Sequence, residues 1–336
     1  MTNNDYLISV IVIAHDRKIF LPKALRSLEA QTLTKDKFEV IVVKYYEDNY
    51  IDSIINKNSW KNIVTLEKSL GGKVAIGVEE SKGNIITILE DDDIYMPERL
   101  QIIYNAFLKY KSLIYFRNEY AYIDEAGNLL GNRENYYNYG DIVIPQSIKA
   151  KVAESFAGLT WASLFNSAMA ISADLLKSRL QILRKMIFID PLLFNISLIE
   201  KGDLMATSKI LTLKGVNKLG GFHQLKGIYE RYIQIFIHYL IDIATIKEKS
   251  YIDLGCKVCV DNFLLRTVEI ASLPNKYKYL NLIIPLNLLP SYLRAIHSKN
   301  PYMKLTILTD FLVQYMPNSL KLLYYYGREL KNSLAR

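Results

Sequence analysis

Four consecutive acids, Glu90-Asp91-Asp92-Asp93, follow directly on the apolar run Ile85-Ile86-Thr87-Ile88-Leu89. Carboxylates this close repel one another, and each would rather be neutral unless a cation sits among them. A divalent ion is the simplest remedy, because hard oxygen ligands suit Mg²⁺ or Mn²⁺. The apolar run reads as a buried strand, and open α/β sheets place their ligands beyond the carboxyl ends of such strands. The same acids could instead form a solvated turn before a helix starting near Pro97-Glu98-Arg99-Leu100. On these residues alone both readings stand.

The elements around the run alternate. Leu7 to Ala14 is an apolar, β-branched strand, and Leu21, Leu25 and Leu28 mark a helix starting near Pro22, a favoured first-turn position. Phe38 to Val43 is a second strand, Ile51 to Ile55 a short helix, and Ile63 to Leu66 a short strand. Gly71-Gly72 opens a helix over Lys73 to Ser81, and Gly83 closes it before the acidic strand. Such repetition predicts a mostly parallel sheet with helices on both faces. Beyond the acids the pattern predicts a helix over Pro97 to Tyr110, a strand over Leu113 to Ile123 and a tight turn at Asp124-Glu125-Ala126-Gly127-Asn128. Residues 132–160 are rich in Tyr and Asn and suit a binding loop. A strand over Ser167 to Ile171, a helix over Ala173 to Met186 and another from Asp190-Pro191 to about Lys201 follow, and helical periodicity dominates from Ile228.

The chain has 336 residues, of which 50% are hydrophobic and 23% charged, so a globular protein with an ample core is expected. No apolar run reaches the roughly 18 residues that span a bilayer. The polar start Met1-Thr2-Asn3-Asn4-Asp5 does not resemble a secretory signal, which leads to the expectation of a cytoplasmic location. The net charge of +8 is uneven, +1 over residues 1–225 and +7 over residues 226–336. The second part should therefore face something anionic, unless Lys simply covers a helical surface. Cys256 and Cys259 form a lone C-x-x-C inside a helical stretch; without a second pair a zinc site is not expected, and core packing suits them better.

The ordered motifs over about residues 6–225 resemble the family 2 glycosyltransferases, which have the GT-A fold. Ser9 to Arg17 is similar to the family's opening strand, S-V-I-I-P-T-Y-N-R, and Ala24-Leu25-Arg26-Ser27-Leu28 with Gln31-Thr32 to its A-L-x-S-L-x-x-Q-T helix. Gly71-Gly72-Lys73 with Ala75 and Gly77 resembles G-x-x-x-A-R-N-x-G, and Leu89 to Pro97 resembles L-D-x-D-D-x-x-x-P. The resemblance implies a nucleoside-diphosphate sugar as donor and Mn²⁺ or Mg²⁺ on the acidic motif. Asp91, Asp92 and Asp93 would hold the ion, with Glu90 behind them, and Asp91 and Asp92 would also meet the donor. Ala14, His15, Asp16 and Arg17 would line the nucleotide pocket, with Gly71 and Lys73 near the diphosphate. Lys73 read alone could equally be an exposed first-turn residue.

The resemblance also implies a base for the acceptor hydroxyl, and Asp190, before Leu192, Leu193, Leu198 and Gly202, occupies its place; Asp190 could also simply cap its helix. His223, in Gly220-Gly221-Phe222-His223, resembles a late-loop residue that reaches the metal or diphosphate. Trp161 offers a ring to a sugar face or to the core. One departure stands out: the family's D-D-x-S-x-D begins with an Asp that contacts the base, and here Lys44 holds that position, so base recognition differs or shifts to Asp48.

The expected organisation is thus a GT-A, Rossmann-like catalytic domain over residues 1–225 and a helical region over residues 226–336. Basic, Tyr-rich stretches such as Tyr229 to Tyr239 and Leu320 to Leu330 could lie on an anionic membrane surface, at the inner face of the cell membrane, or pack on the domain or on a second copy. Two functions fit: an inverting, metal-dependent glycosyltransferase acting on a glycan or lipid-linked acceptor, or a non-catalytic module of the same fold binding membrane or nucleic acid. Dispersed basic residues without a binding motif argue against nucleic acid.

Overall fold

The computed structural model describes residues 7–130, 138–149 and 165–216 except 188, with isolated positions at 151, 152, 156, 160, 312, 316 and 320. Trp161, His223, Cys256, Cys259 and the stretches expected to be helical from Ile228 onward lie outside the described residues, apart from Leu312, Met316 and Leu320.

The amino-terminal part alternates as its pattern requires: β1 Ile8–Ala14, α1 Leu21–Glu29, β2 Phe38–Lys44, α2 Asn49–Lys57, β3 Lys61–Val64, α3 Leu70–Glu79 and β4 Ile85–Glu90. Then come β5 Ile94–Tyr95, α4 Arg99–Lys109, β6 Leu113–Ile123, β7 Leu129–Leu130 and β8 Asp141–Ile144. After a 3-10 turn at Asn166–Ala168 follow β9 Met169–Ser172, α5 Ala173–Lys177, α6 Leu180–Leu183, α7 Asp190–Ile199 and β10 Asp203–Gly215. The stretch expected as one helix over Ala173 to Met186 is two short helices, interrupted at Ser178-Arg179. The long β10 was not anticipated.

The described strands form one sheet in the order β3-β2-β1-β4-β9-β6-β10-β5, with β7 beside β6 and β8 beside β10. β3, β2, β1 and β4 run parallel, as do β6 and β10, whereas β9 is antiparallel to both β4 and β6. The four parallel strands are joined by helices, and this explains why β1 reads as an apolar run broken only by Ser9. Val10 and Val12 face a core with Leu25 and Leu28 of α1, while Ile11 and Ile13 face the opposite core with Val74 and Val78 of α3. Both faces are covered, so neither can be polar. Gly77 lets α3 approach, since a Cβ there would sit 2.4 Å from Cγ2 of Ile11.

Candidate functional site

The acids occupy the turn between β4 and β5, closed by the Asp93 amide on the Glu90 carbonyl at 3.1 Å. Three groups of contacts fix this turn. From α1, the Ser27 hydroxyl accepts from the Tyr95 amide at 3.2 Å. Gln31 donates to the Met96 carbonyl at 3.0 Å and accepts from the Leu100 amide at 3.0 Å. The A-L-x-S-L-x-x-Q-T residues thus brace the acidic turn. Beneath it the fully buried Arg99 donates to Asn118 at 2.9 Å and Thr87 at 2.9 Å, with its guanidinium 3.9 Å from the Tyr95 ring centroid. From β10, the Gly215 amide donates to Asp93 Oδ1 at 3.0 Å. Gly215 has to be glycine, because a Cβ there would lie 2.2 Å from the Asp92 carbonyl oxygen.

Within the turn three of the four carboxylates converge and one turns away. One oxygen each from Glu90, Asp92 and Asp93 lie within 4.8 Å of one another, a spacing that suits a shared cation. Asp91 points elsewhere: its Oδ2 accepts from the His15 amide at 3.0 Å, and its Oδ1 receives Arg17 Nη2. Arg17 also donates through Nη1 to Asp92 Oδ2 at 2.8 Å. The convergent trio therefore includes Glu90, expected to stand behind, and omits Asp91. Three hard oxygen donors with no nitrogen or sulfur fit Mg²⁺ or Mn²⁺ better than a softer metal.

Burial and charge set the protonation of these groups. Burial pushes Asp93 up to about 7 against the pull of Lys214, and burial likewise pushes Asp91 up to about 7 against Arg17. Glu90 goes the other way; burial would raise it, but Lys214, the Asn166 amide and Arg17 hold it below its usual value. Lys214, near the end of β10, is raised despite its burial by Asp93, Glu90, Asp92 and Asp190, and its ammonium lies 4.6 Å from the centre of the Phe165 ring. No sequence motif signalled this cation. A lysine at the end of an alternating strand beside a glycine was the available cue.

Asp190, at the start of α7, comes to the same corner. Its Oδ1 accepts from the Asn166 amide at 2.9 Å, and the Asn166 side chain donates to Glu90 Oε1 at 2.8 Å. Burial, then the Glu90 charge, raises Asp190 to about 6. Its carboxylate bonds to a different segment, which a simple helix cap would not do.

On the opposite side Lys73 is 1% exposed, which removes the exposed first-turn reading. Its ammonium donates to the Ala14 carbonyl at 3.1 Å and meets His15 Nδ1 at 2.9 Å. Burial lowers Lys73 to about 8; burial and the Lys73 charge lower His15 to about 4, so the imidazole is neutral. Gly71 lies two residues before Lys73 in α3, with its amide on the Met186 carbonyl at 3.3 Å. Asp16 is exposed beside His15. Lys44 is fully buried, paired with Asp52 at 2.9 Å and bonded to the Tyr46 carbonyl at 2.7 Å. Asp48 caps α2, with its Oδ1 3.1 Å from both the Tyr50 and Ile51 amides.

Ala14, His15, Arg17, Lys73, Glu90, Asp91, Asp92, Asp93, Asp190 and Lys214 thus gather beyond the carboxyl ends of β1 and β4, with Asp48 further out beyond β2. Residues 9–160 match the family described as Glycosyl transferase family 2. A Haemophilus influenzae protein described as an uncharacterized glycosyltransferase is 32% identical over 100 residues, a match spanning 28% of this chain and 32% of that protein. The crystal structure of S. aureus TarS 1-349 superposes with a TM-score of 0.55 at 16% identity, covering 96% of this chain and 92% of that one. Its complex with UDP-GlcNAc gives a TM-score of 0.53 at 15% identity, over 96% and 92% of the two chains. Against the longer TarS chain the match covers 54% of that protein. The architecture is the GT-A fold. Among the described residues no helix is long and apolar enough to cross a membrane.

Proposed function

We propose, from the match of residues 9–160 to glycosyl transferase family 2, that the chain is a metal-dependent, inverting glycosyltransferase using a nucleoside-diphosphate sugar. The observation that carries this reading is the convergence of Glu90, Asp92 and Asp93 within 4.8 Å, tied through Asn166 to Asp190. Glu90, Asp92 and Asp93 would hold Mn²⁺ or Mg²⁺, which when bound offsets the charge that develops on the departing diphosphate. Arg17 and Lys73 lie on the side of the turn nearest β1 and add positive charge for the same phosphates. Ala14, His15 and Asp16 line the nucleotide pocket, with Gly71 at its edge.

Asp190 serves as the base. As the acceptor oxygen bonds to the anomeric carbon from the face opposite the phosphate, its proton passes to the Asp190 carboxylate. The bond from carbon to phosphate oxygen breaks, and the nucleoside diphosphate leaves with the electron pair. A carboxylate raised to about 6 is still largely ionised at neutral pH yet basic enough to take that proton. With Lys44 committed to Asp52, the nucleobase falls to Asp48, whose Oδ1 alone caps α2, or to other groups of the pocket. The bound UDP-GlcNAc of TarS makes uridine donors the first to test. In this reading residues 1–225 are the catalytic domain, His223 is assigned to the phosphates or the metal, and the basic region 226–336 is assigned to a glycan or lipid-linked acceptor, a membrane surface or a second copy.

The test is donor hydrolysis across a panel of uridine, guanosine and other nucleotide sugars with Mn²⁺. At least one donor should be split slowly by the wild-type chain, and Asp92→Asn should abolish the reaction. Failure of every donor either to turn over or to raise the melting temperature in the presence of Mn²⁺ would sink this reading.

A further inference from the structure

We propose that Arg17 is a donor-positioning residue that exchanges partners: it neutralises the acidic turn before metal is bound, and its fork passes to the diphosphate once Asp92 is engaged. The inference rests on the metal-dependent reading above. Its basis is a conflict over one carboxylate. Asp92 belongs to the trio whose oxygens converge within 4.8 Å, yet its Oδ2 already receives Arg17 Nη1 at 2.8 Å. A guanidinium and a divalent ion beside the same carboxylate repel each other, so engagement of Asp92 by the ion favours release of Arg17.

Asp91 makes the exchange possible without losing Arg17. It stands outside the convergent trio, is fully buried and is anchored by the His15 amide at 3.0 Å, so it keeps one arm of the guanidinium when the other is released. The side chain of Arg17 retains 14% exposure and follows the end of β1, in the stretch between β1 and α1 where no regular element holds it. A planar fork that grips two carboxylates presents the same geometry to two phosphate oxygens. The competing view is a permanent pair in which Arg17 merely orients Asp92 for the ion. The two views predict opposite signs: removing Arg17 strengthens metal binding if it competes and weakens it if it orients.

The experiment uses the full chain as wild type, Arg17→Gln and Arg17→Lys. Binding of Mn²⁺ alone is followed by the paramagnetic resonance of the free ion, and binding of UDP and of GDP by calorimetry at saturating Mn²⁺. Arg17→Gln should bind Mn²⁺ roughly tenfold more tightly, while the nucleoside diphosphate that the wild type retains should bind roughly tenfold more weakly. Arg17→Lys, a point charge without the fork, should show a smaller change of the same sign in each, and it carries the comparison if Arg17→Gln does not fold. A Mn²⁺ affinity that stays the same or falls in the variants overturns the exchange, as does movement of both affinities in one direction. Absence of Mn²⁺ binding in the wild type instead overturns the metal-dependent reading, and the exchange with it.

Discussion

Asp93→Asn should make the metal-free protein more stable at pH 8, although it removes a carboxylate from the centre of the site. Asp93 is 1% exposed and its carboxyl is pushed up to about 7 from an ordinary value of 3.8. A folded-state value above the unfolded one means that the protonated form is favoured by folding. That contribution is complete below about pH 3.8 and is lost as pH rises through about 7. A rise from 3.8 to about 7 corresponds to a ceiling of about 4 kcal/mol for keeping the carboxylate ionised at pH 8. Asparagine retains an Oδ1 to accept the Gly215 amide, and Lys214 keeps Glu90, Asp92 and Asp190 as counter-charges. Allowing for the lost attraction between Asp93 and Lys214, about 2 kcal/mol should be recovered, or roughly 3 °C in melting temperature. Thermal melts with a chelator at pH 8 and at pH 5 measure this, and the difference should shrink at the lower pH, where the wild-type carboxyl is protonated. Adding Mn²⁺ at pH 8 should reverse the order, raising the wild type and leaving Asp93→Asn where it was. A variant that melts at or below the wild type at pH 8 without metal would show that Asp93 is not held ionised against its burial.

Asp190→Asn should lower kcat by roughly 10²–10⁴ while donor affinity stays within about twofold, and the wild-type rate should climb with pH through about 6, because only the carboxylate accepts a proton. Lys73→Met should weaken nucleotide binding measured by calorimetry. It should also move the His15 imidazole up from about 4 in an NMR titration, though burial keeps it below the ordinary value. Gly215→Ala puts a methyl 2.2 Å from the Asp92 carbonyl oxygen, so Mn²⁺ affinity should fall and stability drop by roughly 1–3 kcal/mol, read by denaturant melts.

The parallel part of the sheet was legible because strands covered on both faces must be largely apolar, as Val10–Ala14 of β1, Val40–Val43 of β2 and Ile85, Ile86, Ile88 and Leu89 of β4 are. The acidic turn announced itself for the complementary reason: nothing in a core explains four carboxylates in a row. What the spacing could not convey was the direction of each carboxylate, since that depends on a hydrogen-bonded turn and on Arg17 arriving from β1. The resemblance brought Glu90 into view only as a bystander, whereas Asn166 turns it toward Asp92 and Asp93. β10 escaped notice because Thr207, Ser208, Lys209, Thr212 and Lys214 interrupt its apolar residues. Those interruptions are informative in retrospect. Thr212 bonds Asn118 and Lys214 faces the acids, so the polarity that hid the strand belongs to the site. Likewise Ser178-Arg179 breaks the stretch from Ala173 to Met186 into two helices, although its apolar spacing reads through.

Asn166 is a small gauge block. With its side chain on Glu90 and its backbone on Asp190, it sets the spacing between the proposed metal trio and the proposed base, and so, on that reading, how far apart the two ends of the substitution lie, independently of whatever loop greets the incoming alcohol. Evolution can then redraw that loop wholesale, trading one recipient for another, without recalibrating the distance over which the bond is exchanged.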